Sequence, residues 1–218
     1  MPKLSDKYHK IMSVFKRRMD GDKKLIEGDW VNDEIAFLKD NDWIFTEKVD
    51  GTNIRVSWDG NESVYRGRSD EAQIPTPLIY ALDQCFKTFQ ARQRLTAVFG
   101  SEVEESITLY GEGYGKGIQA AGRDYCADGV RFVLFDVKIG GYYLERHNVE
   151  DIAKKLELAC VPIIGHGTLN EAIEIVRKGF KSNWGDFIAE GIVARPRVEM
   201  FSRKGERMIT KVKHRDFT

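Results

Sequence analysis

Lys48 stands in a stretch of the sequence, residues 43–49, whose apolar residues are Trp43, Ile44, Phe45 and Val49. A lysine in such a stretch is unusual, because burying an unpaired ammonium group is costly. Lysine is also a side chain whose amine can act as a nucleophile when it is partly buried. Asp50 and Gly51 follow and predict a tight turn where the backbone can approach a ligand closely. Lys48 is therefore a candidate for covalent chemistry, with an exposed hairpin lysine as the alternative.

A glycine-rich segment, residues 110–119, is the second candidate. It predicts the end of a strand running into a loop whose glycines let the backbone lie close to a ligand. Glu112 in this segment can accept hydrogen bonds from sugar hydroxyls. A phosphate-binding P-loop is excluded, since Lys116 precedes Gly117 and not a serine or threonine. A surface loop without a role remains the alternative.

Two aromatic residues in one apolar run, Phe132 and Phe135, lie three positions apart. In a strand they point to opposite faces, so that one can join the core while the other offers a flat surface to a purine. For any single phenylalanine in such a strand, the core is the commoner location.

Charged residues recur near the end of the sequence. Glu190 precedes a predicted strand, where its carboxylate can meet a metal ion or a ribose. Lys211 and Lys213 alternate along another strand and share a face. Two adjacent like charges are unfavourable unless an anion lies between them, and a triphosphate would serve. Two exposed lysines that protect an edge strand from aggregation are the alternative.

The positions of these residues depend on the predicted elements. Strands and helices are mixed without strict βαβ alternation, which predicts an α+β domain with antiparallel sheets and flanking helices. An Asp59-Gly60 pair predicts a hairpin between two of the strands. The predicted strands are residues 43–49, 53–58, 63–65, 107–111, 130–138, 187–195 and 206–213, and the predicted helices are residues 6–20, 77–94, 149–158 and 169–178.

Bulk properties narrow the class of protein. The 218 residues suffice for a single domain over residues 1–218 that needs no disulfide or metal. Three isolated cysteines, and the lack of any apolar stretch of about 18 residues, predict a cytoplasmic protein that does not enter membranes. The zero net charge argues against a protein that coats nucleic acid. Residues 194–218 are nevertheless basic. They either contact a phosphodiester backbone or form a charged edge exposed to solvent.

Five short motifs occur in an order that resembles the covalent nucleotidyltransferases, the superfamily of DNA ligases, RNA ligases and mRNA capping enzymes. The sequence is most similar to the phage-type, nick-sealing RNA ligases over roughly residues 40–218, and Thr52-Asn53 after the first motif supports this similarity. The motifs that resemble I, III, IIIa, IV and V are Lys48-Val49-Asp50-Gly51, Gly111-Glu112, Phe135-Asp136, Glu190-Gly191 and Lys211-Val212-Lys213.

The resemblance implies a ligase/capping-enzyme nucleotidyltransferase fold, which is ATP-grasp-like. It implies that Lys48 attacks the α-phosphate of ATP and becomes lysyl-AMP, while Lys211 and Lys213 hold the phosphates. Glu190 would lie near Mg²⁺ or Mn²⁺. The sequence departs from the superfamily in showing no C-terminal OB-fold or helical domain, so that we expect nick binding to use the catalytic domain itself, another subunit or an accessory protein.

The resemblance also implies contacts with the nucleotide and the RNA. Glu112 would bind the ribose hydroxyls, and Phe135 and Val193 would enclose the adenine. Glu47 would recognise the adenine edge through its backbone or its carboxylate. Asn53 would lie near the metal or the joining ends. Arg68 would contact the ribose or the RNA, and Arg66 is the alternative residue for this role.

The implied activity is that of an ATP-dependent RNA ligase that repairs RNA ends or a nicked duplex. Two alternatives remain from the sequence: a DNA ligase core or GTP-using capping domain, and a catalytically silent module that binds nucleic-acid ends. The five intact motifs argue against the silent module.

Overall fold

The structure, a computed structural model, describes residues 7–218, and these form two compact units. Described residues 7–9 and 50–161 form the first unit, and residues 10–49 and 162–218 form the second. The prediction of one domain over residues 1–218 stays a prediction.

The elements confirm the α+β class. The helices are α1 (Asp33–Leu38), α2 (Thr76–Phe86), α3 (Phe89–Phe99), α4 (Gly122–Tyr125), α5 (Arg146–Lys155) and α6 (Leu169–Lys178), with a 3₁₀ turn at His214–Asp216. The strands are β1 (Met12–Ser13), β2 (Phe15–Arg17), β3 (Leu25–Trp30), β4 (Trp43–Glu47), β5 (Thr52–Trp58), β6 (Ser63–Arg66), β7 (Ile107–Gly115), β8 (Val130–Ile139), β9 (Tyr142–Tyr143), β10 (Ala159–Cys160), β11 (Ile163–Gly167), β12 (Gly191–Pro196) and β13 (Thr210–Lys213).

The first unit is built on a six-stranded sheet in the order β10-β8-β7-β5-β6, with β9 paired to β8. All its pairs are antiparallel except β10 with β8. The predicted hairpin at residues 59–60 joins β5 to β6 and is confirmed. One face of the sheet carries Ile54, Leu109 and Leu134 in an apolar cluster with Leu82 and Phe86 of α2. The other face carries Asn53, Arg55 and Glu112 together with the buried Tyr110 and Val133.

The second unit is built on a five-stranded sheet in the order β1-β13-β12-β4-β11. Helix α6 packs Leu169, Ile173 and Val176 into an apolar cluster with Ile192 and Val212 of the sheet. A capping box of Thr168 and Glu171 starts this helix, as the sequence predicts. Strands β2 and β3 form a separate antiparallel ribbon.

The predicted helix over residues 6–20 is wrong wherever it is described; its first residue, Asp6, lies outside the described residues. The segment forms β1 and β2 instead. Strand β1 pairs in parallel with β13, and the Val14 amide donates to the Lys211 carbonyl at 3.0 Å. Val14 and Phe15, neighbours in sequence, both enter the core of the second unit. Partners distant in sequence thus override the helical spacing of the apolar residues.

The predicted helix over residues 77–94 is two helices. Thr88 interrupts it by capping α3, where its side chain accepts a hydrogen bond from the Ala91 amide at 3.2 Å.

Strand β3 and helix α1 were not predicted, because their short stretches lack a clear apolar period. Among the described helices, none is both long and apolar enough to cross a lipid bilayer.

The predicted glycine-rich loop begins later than expected, because β7 continues to Gly115 and turns occur only from residue 116 onward. A Cβ added to Gly111 would lie 2.2 Å from the Phe132 ring and 2.5 Å from the Val133 carbonyl oxygen. One added to Gly113 would lie 2.4 Å from a Leu78 methyl. These glycines therefore make room for neighbouring protein groups and not for a ligand.

Replacement of Gly111 by alanine tests this packing. We expect Gly111→Ala to lower the free energy of unfolding by about 1–3 kcal/mol, since the ring and the carbonyl oxygen cannot both withdraw. Gly129→Ala is the control, because an added Cβ there has no neighbour within 4 Å. Chemical denaturation measures both, and an equal effect of the two substitutions would contradict this reason for Gly111.

Candidate active site

Lys48 directly follows β4, which lies between β12 and β11 in the second unit. Its amide donates to the Gly191 carbonyl at 2.9 Å, so its backbone is fixed against the start of β12. Its Nζ lies 2.6 Å from Oε2 of Glu190, and the Lys48 side chain is only 20% exposed. The ammonium group in the apolar stretch thus has the counter-charge that its burial requires.

Lys213 contacts the other oxygen of the same carboxylate. Its Nζ lies 2.7 Å from Oε1 of Glu190, and the two side chains are only 13% and 11% exposed. Glu190 therefore divides its two oxygens between two lysines that lie 165 positions apart in sequence. The structure brings Lys48, Glu190 and Lys213 together, as the motif order suggested.

The position of Glu190 is set by the pairing of β12 with β13. Gly191 lies opposite Lys213 in this pair, and the His214 amide donates to the Glu190 carbonyl at 2.9 Å. Gly191 has a φ of 152°, and a Cβ there would lie 2.0 Å from the Val212 carbonyl oxygen. Only glycine allows this approach, which explains why the carboxylate is followed by glycine.

Lys211 and Val193 lie directly opposite each other on β13 and β12. Val212, between the two lysines of β13, is buried in the apolar cluster, whereas Lys211 and Lys213 are on the opposite face and partly exposed. The predicted shared face of the two lysines is therefore confirmed. That an anion lies there stays a prediction.

Glu47 points the other way from Lys48. It lies opposite Ile192, is 1% exposed, and accepts hydrogen bonds from Ser182 Oγ at 2.5 Å, the Asn183 amide at 2.9 Å and Asn183 Nδ2 at 3.0 Å. These three donors stabilise its charge and hold the 182–183 turn against β4. Sequence reasoning missed Ser182 and Asn183, for which no motif gives a signal.

In the first unit, Asn53 on β5 lies opposite Glu112 on β7. Both are on the face away from the apolar cluster and are half-buried. The Oδ1 atom of Asn53 is buried and has no hydrogen-bond partner among the described residues. A buried acceptor without a partner is costly, so this end of β5 is suited to a ligand or water that donates a hydrogen bond.

Phe135 lies at a β-bulge in β8, between the register pairs of Leu134 with Gly111 and of Asp136 with Tyr110. The Phe135 ring is half-buried, while Phe132 is 4% exposed and belongs to the apolar cluster. The predicted division of the two phenylalanines is confirmed. A bulge redirects a side chain locally, and at this one the Phe135 ring keeps part of its surface exposed.

Arg68 is exposed in the 67–70 loop that follows β6. That loop is held by Arg55, which is fully buried and donates to the Gly67 carbonyl at 2.8 Å and to Asp70 Oδ1 at 2.7 Å. Sequence reasoning missed Arg55. The signal was present, because an arginine in the apolar strand 53–58 is as unusual as Lys48 in its own strand.

No group of three or more histidine, cysteine, aspartate or glutamate side chains among residues 7–218 could hold a metal ion. Glu190 alone offers a carboxylate beside Lys48 and Lys213.

The structure is thus an α+β fold in which a paired, largely buried lysine follows a central strand of the second unit's sheet. The family model described as RNA ligase matches residues 41–213. The chain therefore belongs to the RNA ligase family. No curated protein sequence matches it.

Solved structures of an RNA ligase from Naegleria gruberi share the fold. The structure with PPi has a TM-score of 0.60 and 22% identity, covering 83% of this chain and 51% of that one. A variant with ATP and Mn has a TM-score of 0.62 and 22% identity, covering 83% and 52%. Another variant, with AMP and Mn, has a TM-score of 0.59 and 20% identity, with the same coverage. The chain thus spans about half the length of these ligases.

The ion pair between Arg55 and Asp70 predicts a pH dependence. The hydrogen bond from Arg55 holds the pKa of the Asp70 carboxyl below its ordinary value. Its stabilisation is present above the pKa of an unfolded aspartate, about 3.9, and is lost as the pH falls below it. We expect Asp70→Asn to reduce the loss of stability in acid, measured as the unfolding free energy between pH 6 and about 3. Identical pH dependence in both proteins would contradict the ion pair.

Proposed function

We propose that this chain is the nucleotidyltransferase part of an ATP-dependent RNA ligase, with Lys48 as the nucleophile. The observation that carries the proposal is the Glu190 carboxylate shared by Lys48 and Lys213 at 2.6 and 2.7 Å, in a member of the RNA ligase family. Related folds solved with ATP and Mn, AMP and Mn, or PPi support it.

In the first step, the ammonium group of Lys48 releases a proton to solvent, and the resulting amine attacks the α-phosphorus of ATP. A phosphorus–nitrogen bond forms, the bond from the α-phosphorus to the oxygen that bridges to the β-phosphate breaks, pyrophosphate leaves, and the nitrogen releases a second proton to solvent. The reaction depends on in-line positioning and on neutralised charge. Lys213 and Lys211, which share one face of β13, supply positive charge to the phosphates. Glu190 holds the Lys48 amine in place before the nucleotide binds.

The nucleoside contacts are proposed from the resemblance. Phe135 stacks on adenine, Val193 covers its other face, and Glu112 accepts from the ribose hydroxyls. The half-buried Phe135 ring at its bulge supports the stacking. Glu47 recognises the adenine edge through its backbone, because Ser182 and Asn183 already occupy its carboxylate.

A divalent ion fits the donor set as a partner of the nucleotide. Mg²⁺ in nucleotide enzymes keeps several waters and binds through one or two carboxylates together with phosphate oxygens. Glu190 offers one carboxylate once the nucleotide phosphates replace it at Lys48 and Lys213, and the described residues hold no group of three or more histidine, cysteine, aspartate or glutamate side chains for a metal ion. Bound there, Mg²⁺ or Mn²⁺ would neutralise developing charge on the phosphates.

In the later steps, AMP passes to the 5′-phosphate of an RNA, and attack by a 3′-hydroxyl releases AMP and joins the strands. Arg68, exposed on the loop that Arg55 holds, contacts the RNA, and Asn53 lies near the joining ends. RNA ends or a nicked duplex are the proposed substrates. A cytoplasmic location agrees with three free cysteines.

Replacing the nucleophile tests the first step. Lys48→Ala should abolish covalent attachment of AMP, detected by intact mass after incubation with ATP and Mg²⁺, because no other amine takes its place. Lys178→Ala, an exposed lysine at the end of α6, is the control and should be labelled like the wild type. An adenylylated Lys48→Ala variant would overturn the assignment.

A sealing assay on nicked duplexes tests the strand specificity. We expect ATP-dependent joining of all-RNA nicks at a rate about tenfold or more above that on all-DNA nicks. Lys48→Ala should seal neither. Labelling from GTP alone, or preferred sealing of DNA, would replace the RNA ligase proposal by a capping or DNA ligase activity.

A further inference from the structure

Tyr8 lies outside the region matched by the RNA ligase family, residues 41–213, yet it is 8% exposed in the first unit. Its hydroxyl donates to Oδ2 of Asp136 at 2.8 Å, in a buried hydrogen bond between residues 128 positions apart. Tyr8 is therefore held in a defined position against strand β8, although it lies well before the matched region.

The ring of Tyr8 meets the ring of Phe135. Their centroids lie 5.1 Å apart with the planes at 71°, an edge-to-face pair. Tyr8 is fixed in turn by Tyr110, at 5.0 Å between centroids, and by Tyr143, at 5.9 Å. Such pairs prefer defined relative orientations, so Tyr8 restricts the plane that the Phe135 ring adopts.

This restriction matters because Phe135 lies at the bulge of β8. Directly opposed cross-strand neighbours normally help to orient a side chain, and a bulged residue has lost that regular opposition. The hydrogen bond to Asp136, the next residue along, places Tyr8 where it replaces those neighbours. Phe135 remains half-buried, and therefore still has surface to offer.

We infer that Tyr8 is a positioning residue that orients the Phe135 ring for stacking on the adenine of ATP. The inference rests on the proposed function, because it presupposes that Phe135 binds the base. It extends the nucleotide-binding apparatus to a residue that precedes the matched region by more than 30 positions.

The test is the ATP dependence of Lys48 adenylylation. Tyr8→Leu and Tyr8→Met remove the ring, and we expect the apparent KM for ATP to rise by roughly two- to tenfold, as for the loss of one oriented aromatic contact. The rate at saturating ATP should stay within about twofold. The apparent KM for pyrophosphate in the reverse reaction should not change, because pyrophosphate makes no contact with the base. Either folded variant suffices, and thermal unfolding reports on folding.

Two further variants separate positioning from general stability. Phe86→Leu removes a buried ring of the same unit that packs on Phe132, and it should lower stability without changing the KM for ATP. In a Phe135→Leu background, Tyr8→Leu should have no additional effect on this KM, since Tyr8 acts through Phe135.

An unchanged KM for ATP in the Tyr8 variants, or effects of Tyr8→Leu and Phe135→Leu that simply add, would overturn the inference. A shift in Phe86→Leu equal to that in Tyr8→Leu would also overturn it. If the wild-type chain takes no AMP from ATP, the proposed function fails first. The two failures are therefore distinguishable.

Discussion

The Glu190 carboxylate is the interaction on which the second unit's site depends. Lys48 and Lys213 would repel each other and pay for partial burial without it, and its two oxygens accept one ammonium group each. The arrangement requires β4, β12 and β13 to be neighbours, and Gly191 to carry no side chain against Val212. A nucleotide that brings its own negative charge can exchange with this carboxylate for the lysines. The two ion pairs thus hold the Lys48 side chain in one position, from which the proposed reaction would start.

In the first unit, the two faces of the sheet have different roles. One face packs on α2 in an apolar cluster, and Asn53, Glu112 and Phe135 lie on the opposite face. Strand register sets Asn53 opposite Glu112, and the bulge sets Phe135 apart from Phe132. The glycines of β7 serve the apolar face, where they admit the Phe132 ring and Leu78. Buried charged groups, such as Arg55, hold loops to the sheet edges instead of adding to the core.

The sequence predicted the features that depend on local pattern. Helix α6 with its capping box, the β5–β6 hairpin and the shared face of Lys211 and Lys213 follow from short-range spacing. Features set by distant partners could not be predicted. The apolar residues between positions 8 and 15 have helical spacing. The backbone of β1 in this segment nevertheless pairs with β13, almost 200 positions away. Similarly, nothing near Glu47 identifies Ser182 and Asn183 as its donors, and the motif order indicated that Glu190 belongs with Lys48 without showing that it contacts both lysines.

In the proposed function, the amine held by Glu190 becomes the carrier of AMP. Peptide mapping by tandem mass spectrometry, after incubation of the wild-type chain with ATP and Mg²⁺, tests this most directly by locating the modified residue. We expect a phosphoramidate-linked AMP on the peptide that contains Lys48, and on no other lysine. AMP found on Lys211 or Lys213, with Lys48 unmodified, would contradict it.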